Sequence, residues 1–299
     1  MADCSCVSST DSVLIDCRGQ QQFIEGHHAH ACSIAANNLF ERMHELPPKD
    51  ARIALLGCAK TIAIATDFFT EKGYQIVNSN VYSDAIINDL KQQKLWQKGK
   101  SHVRLWSPSP MVRYFIEQLA DLADTGNHTK LGLDIACGSG RDMVFLAQQG
   151  WNMHGIDYQP EALRRSQRIA ANNDVSIQCF QQDLENIAGI NDKTTICELA
   201  LKQLHYNGLP RQFDLISVCR YLHRPLMPFI SALLKPGGII IYQTFMQGCE
   251  KISSPKNPNF LLASGELVDS FNGFTVLKDD ILHLKDGRPM SAFIAQKPV

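Results

Sequence analysis

The sequence predicts two consecutive α/β domains, the second built on a doubly wound, mostly parallel seven-stranded sheet. Short β-branched apolar runs alternate with segments of helical spacing along all 299 residues. A polar segment with two tryptophans, ending in two prolines, separates two such series, so we place the domains at residues 1–98 and 99–299. A glycine-bearing turn follows the first strand of the second series, as is typical of sheets that bind nucleotide-like ligands.

The first domain is expected to be a small α/β unit. Its apolar runs predict strands at 13–16, 52–58 and 74–81. Helical spacing begins at residue 61 and stops at Gly73, which is a suitable C-cap. The segment NLFERMHEL, residues 38–46, also has helical spacing.

The second domain is expected to contain seven strands. An amphipathic helix at 111–124 comes before them, and further helices fall between most of them. The strands are predicted at 131–136, 152–157, 176–180, 213–219 and 237–243, and near 274–277 and 290–296.

Composition excludes several classes of function. The 29 Lys and Arg residues nearly balance the 30 Asp and Glu residues, which argues against nucleic-acid binding. No apolar run reaches membrane-spanning length, and the first residues lack a basic start and an apolar core, so we expect a cytoplasmic protein with no membrane partner. The ten cysteines include no CxxC pair, and Cys4 with Cys6 is the nearest approach to a metal motif. We predict reduced thiols and no metal site.

The turn in LDIACGSGRD, residues 133–142, suits a cationic cofactor. A dinucleotide fingerprint needs a third glycine at position 143, which is Met, and no Gly-Lys-Ser/Thr follows for a P-loop. Asp134 directly before the turn is expected to repel a pyrophosphate. It suits instead a cofactor that carries an ammonium and a sulfonium group.

Two further acids follow the next two predicted strands. Asp157 comes twenty-three residues after Asp134, and its carboxylate can accept two hydrogen bonds from a ribose diol. Asp183 follows the third strand, where it can accept from an adenine amino group. One acid at a strand end is more often a helix cap than a ligand. The ordered set of three, with the glycines, indicates S-adenosylmethionine rather than NAD.

Residues from about 104 to 299 resemble the class I S-adenosylmethionine-dependent methyltransferases, which have a Rossmann-like fold. The resemblance is carried by LDIACGSGRD, GID, QQDLEN, FDLISVCRYLH and LKPGGIIIYQTF. The turn is similar to that of the tellurite-resistance methyltransferases, although Ala136 stands where many members have glycine. The resemblance implies the following contacts: Asp134, Ala136, Cys137, Gly138 and Gly140 at the methionine moiety, Asp157 and Tyr158 at the ribose, Asp183 and Leu184 at the adenine, and Cys219 and Arg220 beside the transferring methyl group. Arg104, next to Trp106, is a candidate for the cofactor's carboxylate or else part of a plain linker.

The acceptor of the methyl group is expected to be a small and anionic molecule. Arg220, His223 and Arg224 follow the fourth strand and can clamp an anion, or else Arg220 pairs with an acid and Arg224 caps a helix. Tyr242, Thr244 and Phe245 end the fifth strand, and the loop CEKISSPKNPNFLL after them is a candidate lid. We assign catalytic roles to Arg220, His223 and Tyr242, and substrate contacts to Arg224, Thr244 and Phe245. The resemblance to the tellurite-resistance methyltransferases implies that the acceptor could also be a compound of sulfur, selenium or tellurium.

The first domain resembles the rhodanese-like domains. Asp16, Arg18, Gly26, His27 and Ala31 match that pattern, and Cys58 falls at the position of the family's persulfide-forming nucleophile. Its loop is about two residues short, with Lys60 and Thr61 as the nearest basic and hydroxyl groups, so we predict a degenerate domain that is structural or binds a protein partner or a second copy. Two alternatives remain: a sulfurtransferase or sulfur carrier acting through Cys58, and a protein that binds S-adenosylmethionine without turnover.

Overall fold

The structure of the protein is a computed structural model that describes residues 12–101, 103–123 and 129–299. Cys4 and Cys6 lie outside the described residues. Among the residues within them, no helix is long and apolar enough to cross a membrane.

The chain divides into two compact units, with the boundary between Ser107 and Pro108. The sequence analysis placed this boundary nine residues earlier. Residues 99–107 belong to the first unit because Leu105 is buried in its core. The Ser101 hydroxyl also donates a hydrogen bond to the carbonyl of Ala31.

The first unit is built on a four-stranded parallel sheet with strand order β3-β1-β4-β5, and a second small pairing joins β2 to β6. Its apolar strands β1 and β4 lie at the centre, as continuous β-branched and leucine runs predict. The elements in chain order are β1 (Ser12–Asp16), α1 (Gln20–Glu25), β2 (His27–His28), β3 (Cys32–Ser33), β4 (Arg52–Gly57), α2 (Ala59–Glu71), β5 (Gln75–Val81), α3 (Asp84–Gln92) and β6 (Trp96–Gln97).

The helix expected over residues 38–46 is not formed. This segment contains only short 3₁₀ turns at Ala36–Asn38 and Met43–Glu45. Two prolines follow at once and disfavour continuation of a helix. Arg42 instead pairs with Glu45 and donates to the carbonyl of Ser33, which fixes the segment against the sheet.

The second unit has a seven-stranded sheet with strand order β12-β13-β11-β10-β7-β8-β9. The first five strands of the unit are parallel, and the last two form an antiparallel pair at one edge. The elements in chain order are α4 (Pro110–Gln118), β7 (Leu131–Ile135), α5 (Arg141–Gln148), β8 (Asn152–Asp157), α6 (Pro160–Asn172), β9 (Ile177–Gln181), α7 (Lys193–Tyr206), β10 (Phe213–Cys219), α8 (Met227–Leu233), β11 (Leu234–Gln243), α9 (Glu266–Ser270), β12 (Thr275–His283) and β13 (Pro289–Gln296).

All seven strands predicted for this unit are present. The largest differences are at three elements: β12 continues to His283 instead of ending near residue 277, β11 starts three residues early, at Leu234, and α4 ends at Gln118, beyond which a 3₁₀ turn covers Ala120–Ala123. The strands β7, β10 and β11 are buried on both faces, and their apolar side chains form one core with α7 and α8.

The order of the strands creates the binding crevice. The chain runs outward from β7 through β8 to β9 and then returns to place β10 on the other side of β7. Ligands of such sheets bind outside the carboxyl ends of the strands where the order reverses. In this unit that point lies between β7 and β10, with the turn at 136–140 above it.

Candidate cofactor and acceptor site

The turn between β7 and α5 is made of residues with left-handed backbone. Ala136, Gly138 and Gly140 have φ of 55°, 55° and 74°. A Cβ at Gly140 would lie 2.4 Å from the Cβ of Ser166 on α6, so a glycine is required there by both conformation and close approach. Ala136 accepts a conformation that costs an ordinary residue about 1–2 kcal/mol.

Asp157 ties this turn to the end of β8. Its carboxylate accepts hydrogen bonds from the backbone N–H of Gly138 at 2.8 Å and of Gln159 at 2.9 Å. A carboxylate has about four acceptor positions, so two remain for hydroxyl groups of a ligand. The predicted ribose contact is therefore compatible with the geometry.

Asp134 is buried at the end of β7. The pairing of β10 with β7 places Ser217 opposite it, and the Ser217 hydroxyl donates to its carboxylate at 3.0 Å. The backbone N–H of Met143 donates to the same carboxylate. Burial, followed by the nearby charge of Asp142, raises the pKa of Asp134 well above its usual value.

Asp142 is a residue of the site that the sequence analysis missed. It lies in the first turn of α5, is 9% exposed, and accepts the backbone N–H of Ser109 at 2.5 Å. Burial raises its pKa as well. Ser109 is the N-cap of α4. The start of this helix is also hydrogen-bonded to β11, because the Met111 N–H donates to the side-chain oxygen of Gln243 at 3.4 Å. In the sequence, the feature that could have identified Asp142 is its position two residues after Gly140, at the start of the helix that follows the turn.

The side predicted to hold the adenine is formed by the loop after β9. Asp183 accepts from the backbone N–H groups of Glu185 and Asn186 at 2.8 and 3.1 Å, so it shapes this loop. Leu184 is buried in the core. Tyr158, the second candidate for the ribose, is 59% exposed and its hydroxyl accepts from the side chain of Gln159.

Cys219 is the last residue of β10 and Arg220 follows it, near Asp134 and Asp142. Arg220 has a left-handed backbone, with φ of 57°, and its N–H donates to the carbonyl of Gln243 at 2.7 Å. Burial and then the charge of Asp142 raise the pKa of the Cys219 thiol, so this group is neutral. Cys137 in the turn is likewise kept neutral by burial.

A cavity of about 440 Å³ lies at the carboxyl ends of β10 and β11. It brings together Arg220, Thr244 and Phe245, three residues chosen from the sequence as catalytic or substrate contacts. Its other walls are mostly apolar, and part of them comes from the segment proposed as a lid. The complete lining is Arg220, Tyr221, Leu222, Thr244, Phe245, Ser254, Pro255 and Phe260.

His223 follows this cavity on the same loop. Its Nδ1 lies 3.9 Å from a carboxylate oxygen of Glu185, and its Nε2 is buried with no hydrogen-bond partner among the described residues. Burial lowers the pKa of His223, with Glu185 acting in the opposite direction, so the ring is neutral near pH 7. Glu185 is also hydrogen-bonded to Tyr221, which lines the cavity. Neither Glu185 nor Tyr221 was identified from the sequence.

Arg224 does not join the cavity. Its guanidinium pairs with Glu266 at 2.5 Å and also donates to the carbonyls of Asn259 and Leu261. These bonds use its donors to hold the loop between β11 and α9, so the expected anion clamp is reduced to Arg220. The alternative from the sequence was that Arg220 pairs with an acid and Arg224 caps a helix. In the structure it is Arg224 that forms an ion pair, with Glu266.

Tyr242 and Arg104 also lie outside the cavity lining. Tyr242 is 1% exposed within the core and packs near Phe271, with ring centroids 6.4 Å apart, so it has a packing position. Arg104 belongs to the first unit, where its guanidinium lies 4.9 Å from the centre of the Trp106 ring. Its contact with the cofactor stays a prediction.

The other chemistry-bearing groups that the structure describes were compared with metal-ligand sets. Within residues 12–101, 103–123 and 129–299, no three His, Cys, Asp or Glu residues are grouped as metal ligands. Cys58 is exposed at the N-cap of α2, and hydrogen bonds with Thr61 lower the pKa of its thiol.

The chain is similar to known proteins over different shares of its length. The family model described as "Methyltransferase domain" matches residues 133–240, which run from β7 into β11. A Schizosaccharomyces pombe protein named "Uncharacterized protein UNK4.09" is 22% identical over 95% of this chain and 93% of its own length. The ubiquinone biosynthesis O-methyltransferase of Actinobacillus pleuropneumoniae serotype 5b is 26% identical over 53% of this chain and 66% of its own. Among solved structures, TehB from Haemophilus influenzae gives a TM-score of 0.43 at 14% identity, covering 62% of this chain and 67% of that one.

Proposed function

Because this chain is an S-adenosylmethionine-dependent methyltransferase, we propose that it methylates a small acceptor with an apolar body and an anionic group. The observation that carries the proposal is the cavity at the ends of β10 and β11. Its walls are aromatic and aliphatic, and Arg220 contributes one guanidinium. Small-molecule sites commonly combine an apolar lining with a few polar groups that fix orientation.

The anionic group is proposed to be a carboxylate, an oxyanion or a chalcogen anion. Arg220 lines the cavity, and its charge also acts on the nearby Asp142. A guanidinium binds such groups through charge-assisted hydrogen bonds. Phe245 and Phe260 offer faces for the apolar part of the acceptor.

The transfer is an in-line displacement. A lone pair of the acceptor forms the bond to the methyl carbon, and the sulfur–methyl bond breaks with its electron pair remaining on sulfur. The products are the methylated acceptor and S-adenosylhomocysteine. We propose that an acceptor proton, where there is one, passes to the neutral His223, which follows the cavity on the same loop. Positioning and exclusion of water supply the rest of the catalysis.

The test is a panel of small acceptors with S-adenosylhomocysteine production as the readout. Aromatic and aliphatic carboxylates and thiolates are compared with their amides and methyl esters. Arg220→Met is expected to raise KM for the anionic acceptor roughly tenfold or more, the value of one hydrogen bond between charged groups, with little change in cofactor affinity. Arg211→Met, an exposed arginine at the other end of β10, is the matched control.

The result that refutes the proposal is methylation of uncharged members of the panel with equal efficiency in wild type and Arg220→Met. Absence of any S-adenosylhomocysteine across the panel, with intact cofactor binding, favours the alternative of a protein that binds the cofactor without turnover.

We also propose that the first unit is a degenerate rhodanese-like domain that serves a structural role or binds a protein partner or a second copy, in a cytoplasmic enzyme. The support is the buried pair of Asp16 with Arg18, which also donates to the carbonyl of Gly26. Helix α2 starts directly after Cys58, which leaves no open loop of backbone amides around the thiol. Thiosulfate and cyanide are therefore expected to give no thiocyanate above a Cys58→Ala control, and a clear wild-type signal would restore the sulfurtransferase alternative.

A further inference from the structure

One wall of the acceptor cavity is held in place by the turn between β12 and β13. This wall segment, residues 254–260, belongs to the loop between β11 and α9. From the turn, Arg288 donates a hydrogen bond from Nη1 to the carbonyl of Ser254, which lines the cavity. The Arg288 guanidinium also lies over the ring of Phe245, with Cζ 5.0 Å from the ring centre. A single arginine outside the cavity therefore contacts two residues of its lining.

Asp286 in the same turn orients Arg288. Its carboxylate accepts the backbone N–H of Arg288 at 3.2 Å and the side-chain Nε–H at 2.8 Å. Because the guanidinium is a planar fork, a bond at Nε fixes the plane in which the Nη groups donate. The two side chains keep 21% and 46% of their accessible surface, and ion pairs this exposed add little to fold stability. Loss of Arg288 is therefore expected to act mainly on the segment that it holds.

The turn that carries Arg288 is itself fixed against the residues after β11. The Met246 N–H donates to the carbonyl of Pro289 at 3.1 Å. A Cβ at Gly287 would lie 3.7 Å from Cδ1 of Ile252, so the turn passes close to that side chain. Arg288 therefore reaches the wall segment from a backbone that is paired with the same loop.

The other end of the wall segment is held by Arg224. Its guanidinium donates to the carbonyls of Asn259 and Leu261. These two residues flank Phe260, which lines the cavity. An arginine thus holds each end of the wall segment, one from the loop after β10 and one from the hairpin at the edge of the sheet.

We propose that Arg288 is a positioning residue that determines which acceptors the enzyme takes, by holding the Ser254 end of the wall segment against the cavity. It acts through Ser254 and Phe245 and does not touch the reacting atoms. When the segment is released, compact acceptors lose contacts and bulky acceptors gain room. The apparent affinity for a compact acceptor then falls with the fraction of molecules whose wall is in place. The inference rests on the proposed function, because it concerns the same cavity.

Digestion with endoproteinase Lys-C tests the hold on the wall segment without any acceptor. This protease cuts after lysine, and Lys256 is exposed within the segment. Replacing an arginine leaves every lysine site unchanged, so the variants can be compared directly by peptide mass spectrometry. Cleavage after Lys256 is expected to be roughly tenfold faster in Arg288→Met, the value of one lost hydrogen bond from a charged donor. Arg164→Met, which removes an exposed ion pair with Glu161 on α6, is expected to match wild type.

The acceptor panel tests the effect on selectivity. Production of S-adenosylhomocysteine from compact and bulky carboxylates is measured with wild type, Arg288→Met and Arg288→Lys. In Arg288→Met we expect KM for compact acceptors to rise roughly tenfold, with kcat changed less than about threefold and the affinity for S-adenosylmethionine unchanged. Bulky acceptors are expected to lose less, so the ratio of kcat/KM values shifts toward them. Arg288→Lys keeps a donor for the Ser254 carbonyl and is expected to recover part of both effects.

The two measurements separate failure of this inference from failure of the proposed function. Equal cleavage after Lys256 in wild type and Arg288→Met would overturn the inference, as would an equal loss for compact and bulky acceptors. Faster cleavage with no S-adenosylhomocysteine from any acceptor overturns the proposed function, and with it the acceptor role of Arg288. If Arg288→Met does not fold, Asp286→Ala, which leaves the arginine but removes the carboxylate that orients it, is measured against the same criteria.

Discussion

Replacing Asp157 is expected to weaken cofactor binding more than any loss of fold stability explains. In the structure this carboxylate already accepts the N–H groups of Gly138 and Gln159, and its free lone pairs are proposed to accept the two ribose hydroxyls. Each hydrogen bond to a charged group contributes roughly 1–2 kcal/mol after desolvation, so Asp157→Ala should cost about 2–4 kcal/mol of binding free energy. That corresponds to a loss of affinity of roughly thirtyfold to several hundredfold.

The assay is calorimetric titration with S-adenosylmethionine, and separately with NAD, which is not expected to bind. Asp214→Ala is the matched control: Asp214 also accepts a backbone N–H, that of Leu131, and pairs with Lys235, but it lies at the amino end of β10. It is expected to lower the melting temperature and leave the affinity of the folded protein unchanged. Cofactor affinity that is indifferent to Asp157, or equally reduced in Asp214→Ala, would refute the assignment of the ribose site.

Two further predictions concern a partly exposed ion pair and an exposed thiol. The pKa of Glu266 is lowered from its ordinary value of 4.5. Burial acts to raise this pKa, but the hydrogen bonds from Arg224 and from the N–H of Ala263 outweigh burial. The pair therefore stabilises the fold above that pH, and this stabilisation is lost as the pH falls through the lower folded value. Because both side chains are partly exposed, Arg224→Ala should reduce the free energy of unfolding by about 1 kcal/mol at pH 7, and by less at a pH low enough to protonate Glu266, in urea titrations. An equal loss at both pH values contradicts this. Hydrogen bonding to Thr61 lowers the pKa of the exposed Cys58 thiol, whereas burial raises the pKa of Cys17 and Cys32 to about 12. Iodoacetamide at pH 7 should label Cys58 before those two cysteines, and more slowly in Thr61→Val, as followed by peptide mass spectrometry; the same rate in both proteins is evidence against the role of Thr61.

Prediction from the sequence succeeded where the signal was local. The strand of residues 213–219 was found with its bounds, because a run of apolar residues bounded by polar ones is a property of the chain itself. The left-handed turn was located from Gly138 and Gly140 for the same reason. The segment at 38–46 failed because its spacing is helical, while the prolines after it and the pairing of Arg42 with Glu45 and Ser33 oppose a helix.

The site was predictable to the extent that strand ends position side chains. Arg220, Thr244 and Phe245 were chosen because they follow neighbouring strands, and they do line one cavity. Tyr242 was chosen by the same rule and is buried, because it lies within β11 and packs into the core near Phe271, whereas Thr244 and Phe245 follow the end of the strand. The wall from Ser254 to Phe260 came from a loop whose course no local pattern specifies.

By itself the sequence determined the alternating strands and helices, the glycine turn, and the three acids at successive strand ends that indicate S-adenosylmethionine. Only the tertiary structure decided how charges pair. Glu266 lies 42 residues from Arg224 and removes it from the acceptor cavity, while Asp142 is brought beside Asp134 by the fold of the turn. Secondary structure follows from interactions between near neighbours, whereas the partner of a charge depends on which distant segments the packed core brings together.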